Sequence, residues 1–256
     1  MHQQSMYERQ FDPREIPNDI KKQPLGGRDS FVVDYMRNSI SGVGFNITIA
    51  ELSIGDGSLT KALLESVKGI ELTCADISKN RLHYVSEAVG RQFAGAKDKV
   101  RFIECNFDTE FHLLNSNSYD IVVALDIMEH VLDVFNFVKN CNRILKPNGR
   151  LFIRVPNIAY VKHRLKLLFG ALPITASWFG TPDELSAWQD RYGWDGGHLH
   201  FFTIPILFKL LKNYGFSVQK CRDPGARFSD IRNFWPTMLY ANPLIIAKKE
   251  LSIDEK

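Results

Sequence analysis

Two glycines and one aspartate are the first residues of this chain whose types and spacing suggest chemistry. The run ELSIGDGS sets Gly55 and Gly57 where an apolar, β-branched segment gives way to a helical one. Glycines at such a turn let the backbone reverse tightly and let a ligand approach the peptide groups closely. Asp76 closes the next apolar segment, nineteen positions after Gly57. A carboxylate placed there can accept hydrogen bonds from both hydroxyls of a ribose, so the combination points to a nucleoside-containing ligand. A G-x-G turn alone would be a plain strand-to-helix connection. A dinucleotide fingerprint would want a third glycine at position 60, where Thr60 stands, and no second nucleotide-binding half follows.

A second group lies further along. Asp126, Glu129 and His130 stand at i, i+3 and i+4 behind another apolar run. If Asp126 opens a helix, their side chains share one face. A structural reading has the Glu capping or pairing and the His packing under a substrate. His198 and His200 sit in HLHFF, and in a strand they would point the same way. His200 could serve as a general base or be a satisfied structural histidine. Trp178, Phe179, Trp188, Tyr192 and Trp194 crowd the stretch just before them, as an aromatic lid over an acceptor or as simple packing.

Alternating elements must position these groups. Arg28–Ser39 has helical spacing and ends at Gly42 and Gly44. Strands are expected at Asn46–Ile54, Ile70–Ala75, Val100–Cys105, Tyr119–Leu125 and Arg150–Val155, with helices at Ser58–Val67, from Asp76 through Ala88, and at Val134–Leu145. Tyr119–Leu125 is nearly continuous in apolar residues, as a strand buried on both faces should be. After a stretch with one amphipathic helix (IAYVKHRLKLLFG) and a Trp- and Pro-bearing segment, the pattern resumes with a helix at Pro205–Asn213 and strands at Phe216–Cys221 and Leu244–Lys248. Strands alternating with helices imply βαβ units, right-handed crossovers and a doubly wound α/β sheet, mostly parallel and seven-stranded. Residues 1–45 read as an N-terminal arm and cap helix. Residues 46–256 form one domain, with an insertion at 157–197 on the edge where open α/β sheets bind their ligands.

Composition excludes several classes. The chain has 256 residues, 45% hydrophobic and 24% charged, with a net charge of +3. This is ordinary globular material, and the charge is too small to imply a nucleic-acid partner. Cys74, Cys105, Cys141 and Cys221 form no C-x-x-C pair, so zinc and redox spacings are absent. No signal peptide and no membrane span are expected, and the chain reads as cytoplasmic.

The series ELSIGDG, CADIS, FIECNF, YDIVVALDIMEHV and LKPNGRLFIRVPN, across Ile47–Asn157, resembles the class I S-adenosylmethionine-dependent methyltransferases. The resemblance implies their Rossmann-like fold, with the last strand antiparallel, and their cofactor. It puts Gly55 and Gly57 under the methionine moiety, with Glu51 as the acid of strand one. It puts Asp76 on the ribose, Ile77 on the adenine, Asn106 at the adenine amino group, the Phe107 N–H at a ring nitrogen and Leu125 on the cofactor side of strand four. Ser53 stands where the family usually has its first glycine. The later runs VPNIAYVKHRLKLLFGALPIT, GGHLHFFT and LFKLLKNYGF look like the bacterial branch of type 11/12 methyltransferase domains that includes the MetW-type proteins.

Asp126, Glu129, His130 and His198 also match the places where the small-RNA 2′-O-methyltransferases hold a divalent metal ion. A metal there could lower the pKa of an acceptor hydroxyl, and His130 and His198 are the candidate catalytic residues. The expected reaction is O-methylation of a small-molecule or glycan hydroxyl. The alternatives are RNA ribose 2′-O-methylation and a non-catalytic cofactor-binding partner of the MetW type.

Overall fold

The computed structural model describes residues 27–40, 46–175, 197–225 and 229–250. The first helix, α1 (Gly27–Ile40), leads into β1 (Ile47–Leu52), α2 (Ser58–Ser66), β2 (Ile70–Asp76), α3 (Lys79–Gln92), β3 (Val100–Glu104) and β4 (Tyr119–Leu125). Then come α4 (Val134–Ile144), β5 (Leu145–Arg154), α5 (Val161–Leu168), α6 (Ile204–Asn213) and β6 (Phe216–Arg222). Two short helices, α7 (Ser229–Phe234) and α8 (Pro236–Leu239), precede β7 (Leu244–Lys249).

The seven strands form one sheet in the order β3-β2-β1-β4-β5-β7-β6. β7 is antiparallel to both β5 and β6, while β1, β2, β3, β4 and β5 pair in parallel. The expected doubly wound architecture is therefore present. The order reverses between β1 and β4, and ligands of open α/β sheets bind outside the strand C-termini at such a switch point.

Period-two alternation sends neighbouring strand residues into different cores. Val122 and Ala124 pack with Val134, Phe137, Val138 and Cys141 of α4 on one face. Ile121 and Val123 pack with Val32, Val33 and Met36 of α1 and Leu63 of α2 on the other. That two-sided burial is why Tyr119–Leu125 reads as an unbroken apolar run. All four cysteines are free, and Cys74, Cys105 and Cys141 are buried. Among the described residues no helix is long and apolar enough to cross a membrane.

Two local expectations are corrected. β1 stops at Leu52 because Ser53 adopts φ 68°, which breaks the extended run. No helix opens at Asp126. That residue has φ 55°, and residues 126–133 form turns and bends before α4. The helix starts at Val134, as expected, behind Asp133, whose carboxylate accepts the N–H groups of Phe135 and Asn136, each at 2.9 Å. An Asp at the N-cap satisfies amides that the helix cannot. The insertion aromatics Trp178, Phe179, Trp188, Tyr192 and Trp194 lie outside the described residues.

Candidate active site

The crevice between β1 and β4 begins at the glycine turn. Gly55 (φ 55°) and Gly57 (φ 80°) both occupy the left-handed region, and a Cβ added at Gly55 would meet nothing within 4 Å. Gly57 is the N-cap of α2 with no side-chain cap. The turn thus presents open space against bare backbone at a helix N-terminus, as a cofactor cradle requires. Ser53, in the place of the family glycine, carries the same left-handed backbone with a side chain attached.

Asp76 is buried, and its orientation is set by backbone donors. Its Oδ2 accepts the Ile54 N–H at 3.0 Å and its Oδ1 accepts the Ser78 N–H at 2.9 Å. The first of these ties the ribose candidate directly to the glycine turn. Ile77 beside it is half-buried. Asn106 folds back on its own loop: its Oδ1 accepts the Asp108 N–H at 3.0 Å, and its N–H donates to Glu110 Oε2 at 2.9 Å. An amide oxygen has two lone pairs, so an adenine amino group would share that atom with Asp108. The Phe107 ring is buried against Phe111 and Phe137, with centroids 5.3 and 5.9 Å away, which fixes the peptide that carries its N–H. Leu125 is half-buried at the end of β4.

Glu51 lies on β1 beneath the turn. It is buried, and its Oε2 accepts the Thr60 hydroxyl at 2.7 Å. Burial pushes its carboxyl up to about 8, against the opposing pull of the Thr60 hydrogen bond. Thr60, which argued against a dinucleotide fingerprint, here holds the acid of strand one.

The four metal candidates do not converge as a set. Asp126 Oδ2 accepts both Arg28 from α1 and Arg154 from the end of β5. Two guanidiniums occupy its carboxylate, and it lies outside the group formed by the other three. Neither arginine is marked by local spacing, because each reaches Asp126 across the fold.

Glu129, His130 and His198 do come together, with one potential ligand atom of each within 4.8 Å of the others. His198 Nε2 is 4.0 Å from Glu129 Oε1, and the two imidazole rings meet edge to face at 4.7 Å. The contact is held by backbone: the N–H groups of Leu199 and His200 donate to the Glu129 carbonyl at 2.8 and 3.2 Å. His130 Nδ1 lies 3.3 Å from the Gly197 carbonyl, and His198 Nδ1 lies 2.7 Å from Thr175 Oγ1. Glu129 is 1% exposed, and neither carboxylate oxygen has a hydrogen-bond partner on another described residue. Burial pushes its carboxyl well up, and the nearby Asp126 charge adds to this. Burial, with the neighbouring His198, pushes His130 down to about 4. His200 is not part of this group. The segment is not a strand, and His200 Nε2 meets the Leu132 carbonyl at 3.3 Å instead.

A buried carboxylate with two unpartnered oxygens beside two imidazoles is a donor set that fits a divalent cation, with mixed oxygen and nitrogen ligands. The open glycine turn and the anchored Asp76 likewise fit a nucleoside bearing a small charged tail.

Comparison with known proteins agrees with this architecture. The family described as a methyltransferase domain matches residues 50–151, the span of the crevice. The human mitochondrial ubiquinone biosynthesis O-methyltransferase is 30% identical over 191 residues, covering 73% of this chain and 45% of the relative, so this chain spans less than half of that protein's length. The ubiquinone biosynthesis O-methyltransferase of Coxiella burnetii is 24% identical over 212 residues, covering 78% of this chain and 86% of the relative. Among solved structures, the Burkholderia thailandensis 1,6-didemethyltoxoflavin-N1-methyltransferase with bound S-adenosylhomocysteine superposes with a TM-score of 0.58. That match has 15% identity and covers 96% of this chain and 87% of the other. With the sheet order, the glycine turn on Asp76 and the matched family in agreement, residues 50–151 make up a methyltransferase domain, and the chain has the fold of the solved S-adenosylmethionine-dependent methyltransferases.

Proposed function

We propose that this chain methylates a hydroxyl oxygen of a small-molecule acceptor, a phenol or a glycan, using the crevice over Gly55 and Gly57. The observation that carries the reading is the buried Glu129–His130–His198 group, which follows directly on the C-terminal edge of β4 beside the cofactor cradle. Asp76 would hold the ribose, with Ile77, Asn106, Phe107 and Leu125 around the base, and Glu51, Ser53, Gly55 and Gly57 around the methionine end. Bound S-adenosylmethionine supplies an electrophilic methyl group on a sulfonium.

The protein's own part is alignment and proton handling. In-line displacement breaks the sulfur–carbon bond as the oxygen–carbon bond forms, and alignment can supply several kcal/mol. The acceptor oxygen must also shed its proton; burial and His198 press His130 down to about 4, which leaves it a weak base, so a hydroxyl that gives up its proton readily is needed. A phenolic proton, with a pKa near ~10, is far easier to remove than a water-like one near ~16. The same three side chains would hold a divalent cation, which would supply Lewis acidity toward the acceptor hydroxyl. The curated relatives, named for O-methylation in ubiquinone biosynthesis, support an oxygen acceptor of small size.

The test combines transfer and binding. Labelled methyl should pass from S-adenosylmethionine to members of a phenol and glycan panel. Chelation should abolish turnover while S-adenosylhomocysteine affinity stays constant. Calorimetry should detect Mn²⁺ binding that His198→Ala removes and Asp126→Asn leaves in place. Full turnover after chelation would sink the cation. Cofactor binding with no transfer to any hydroxyl would leave a non-catalytic binding partner as the better reading.

A further inference from the structure

One face of the molecule carries apolar and basic side chains that the site does not use. α5 has no buried residue. Leu168 is 74% exposed and Phe169 81%, with Leu165 and Leu167 about half exposed. Helices of folded domains usually bury an apolar stripe, and α5 buries none among the described residues. Its charged residues all have one sign: Lys162, Arg164, whose Nε also donates to the Ala159 carbonyl at 2.7 Å, and Lys166 lie along it, and no acidic residue occurs anywhere from Ile158 to Thr175.

A second exposed segment sits beside it. Phe234 at the end of α7 is 89% exposed and the adjacent Trp235 55%. Arg232 of α7 donates to the Tyr160 hydroxyl at 3.0 Å and stacks over its ring at 5.5 Å, and Tyr160 is the N-cap of α5. Both segments leave the sheet at the same edge. α5 follows the C-terminal end of β5 and α7 that of β6, and these strands run the same way because each is antiparallel to β7. This is also the edge that holds the cofactor crevice.

We propose that this face docks on an anionic lipid surface, with Leu168, Phe169, Phe234 and Trp235 entering the headgroup boundary and Lys162, Arg164 and Lys166 meeting lipid charge. Exposed Leu, Phe and Trp beside Lys and Arg, with no acidic residue along α5, is the composition of interfacial helices. Charge complementarity selects an anionic membrane over an apolar protein groove. Docked in this way, the crevice edge faces the surface, and an acceptor dissolved in the bilayer reaches it without crossing water.

Vesicle co-sedimentation tests this without any measurement of turnover, so it stands or falls apart from the acceptor reading. The full chain should pellet with phosphatidylcholine–phosphatidylglycerol vesicles at least tenfold more strongly than with phosphatidylcholine alone. Each basic residue near such a surface contributes about fivefold. The triple variant Lys162→Gln, Arg164→Gln, Lys166→Gln should therefore lose about a hundredfold, and Leu168→Ser with Phe169→Ser should also release the protein. Added salt should weaken the wild type steeply. Failure to pellet with either vesicle, or equal pelleting by the charge variant, would overturn the proposal. So would a wild-type dimer that the serine variant disperses, since a second copy would then be the occupant. A drop of several degrees in the melting temperature of the serine variant would also overturn it, because the face would then be packed within the chain.

Discussion

Glu51 offers a test in which the structure supplies both sign and size. Its carboxyl is buried and pushed from the ordinary 4.5 up to about 8. Between those values the folded protein holds a proton that the unfolded chain has released. Stability from this group is therefore fully present below pH 4.5 and is lost as pH rises through about 8. One proton of difference costs about 1.4 kcal/mol per pH unit. From pH 6 to pH 8 the cofactor-free wild type should lose roughly 2–3 kcal/mol from this side chain, or roughly 5–10 °C in melting temperature for a chain of this size. Glu51→Gln keeps an oxygen for the Thr60 hydroxyl and removes the titration. The difference between wild-type and Glu51→Gln melting temperatures, followed by calorimetry across that range, cancels every other titrating group. Thr60→Val adds a second reading. It removes the hydrogen bond that favours the ionised carboxylate, so the break in the curve should move to higher pH. Parallel wild-type and Glu51→Gln curves would mean that Glu51 ionises normally and that water reaches it, and the account of this site would be wrong.

Two further outcomes follow from the crevice. Ser53 holds φ 68° where glycine has no steric cost, so Ser53→Gly should raise stability by about 0.5–1 kcal/mol after the greater unfolded-state freedom of glycine is counted, seen as a melting temperature higher by roughly 1–3 °C; an unchanged or lower value would refute the strain. Asp76→Ala should weaken S-adenosylhomocysteine binding by about 1.5–3 kcal/mol, roughly 10–150-fold by calorimetry, the range for bonds to a charged acceptor. Undiminished affinity in that variant, or tight binding of a nicotinamide dinucleotide to the wild type, would remove Asp76 from the ribose.

The parts of this molecule that could be read from residues alone are those whose causes are local. β4 was legible because burial on both faces demands an unbroken apolar run, and Tyr119–Leu125 begins and ends as expected. The glycine turn was legible because left-handed backbone prefers glycine. Ser53 shows where that logic meets its limit: the backbone keeps the left-handed form while the residue type departs from it. The α4 start was also open to reading, since Asp133 before an apolar-periodic run is an N-cap signal. The helix does begin at Val134, where the sequence places it.

The pattern at Asp126, Glu129 and His130 separates what spacing can and cannot establish. Spacing at i, i+3 and i+4 brings side chains together only on a helix, and residues 126–130 are not helical. Asp126 is instead drawn off by Arg28 and Arg154, partners 98 and 28 positions away, and no local feature announces either. Glu129 and His130 still meet His198, for a reason that side-chain periodicity does not contain. The chain returning from the insertion hydrogen-bonds through Leu199 and His200 to the Glu129 carbonyl, so backbone pairing sets the imidazole of His198 against the carboxylate. Backbone pairing of this kind is indifferent to residue type. The identity of the side chains it assembles, an acid and two imidazoles in a buried pocket without other partners for the acid, is therefore the part that calls for a chemical explanation. A packing role would be served as well by apolar residues, at no desolvation cost. A buried acid either takes up a proton, the direction in which burial pushes Glu129, or gains a positive partner, and the two arginines nearby are engaged by Asp126. Mn²⁺ titration decides between the two: binding that His198→Ala removes and Asp126→Asn keeps would mark a cation between Glu129, His130 and His198, and no binding would leave Glu129 as a buried, protonated acid.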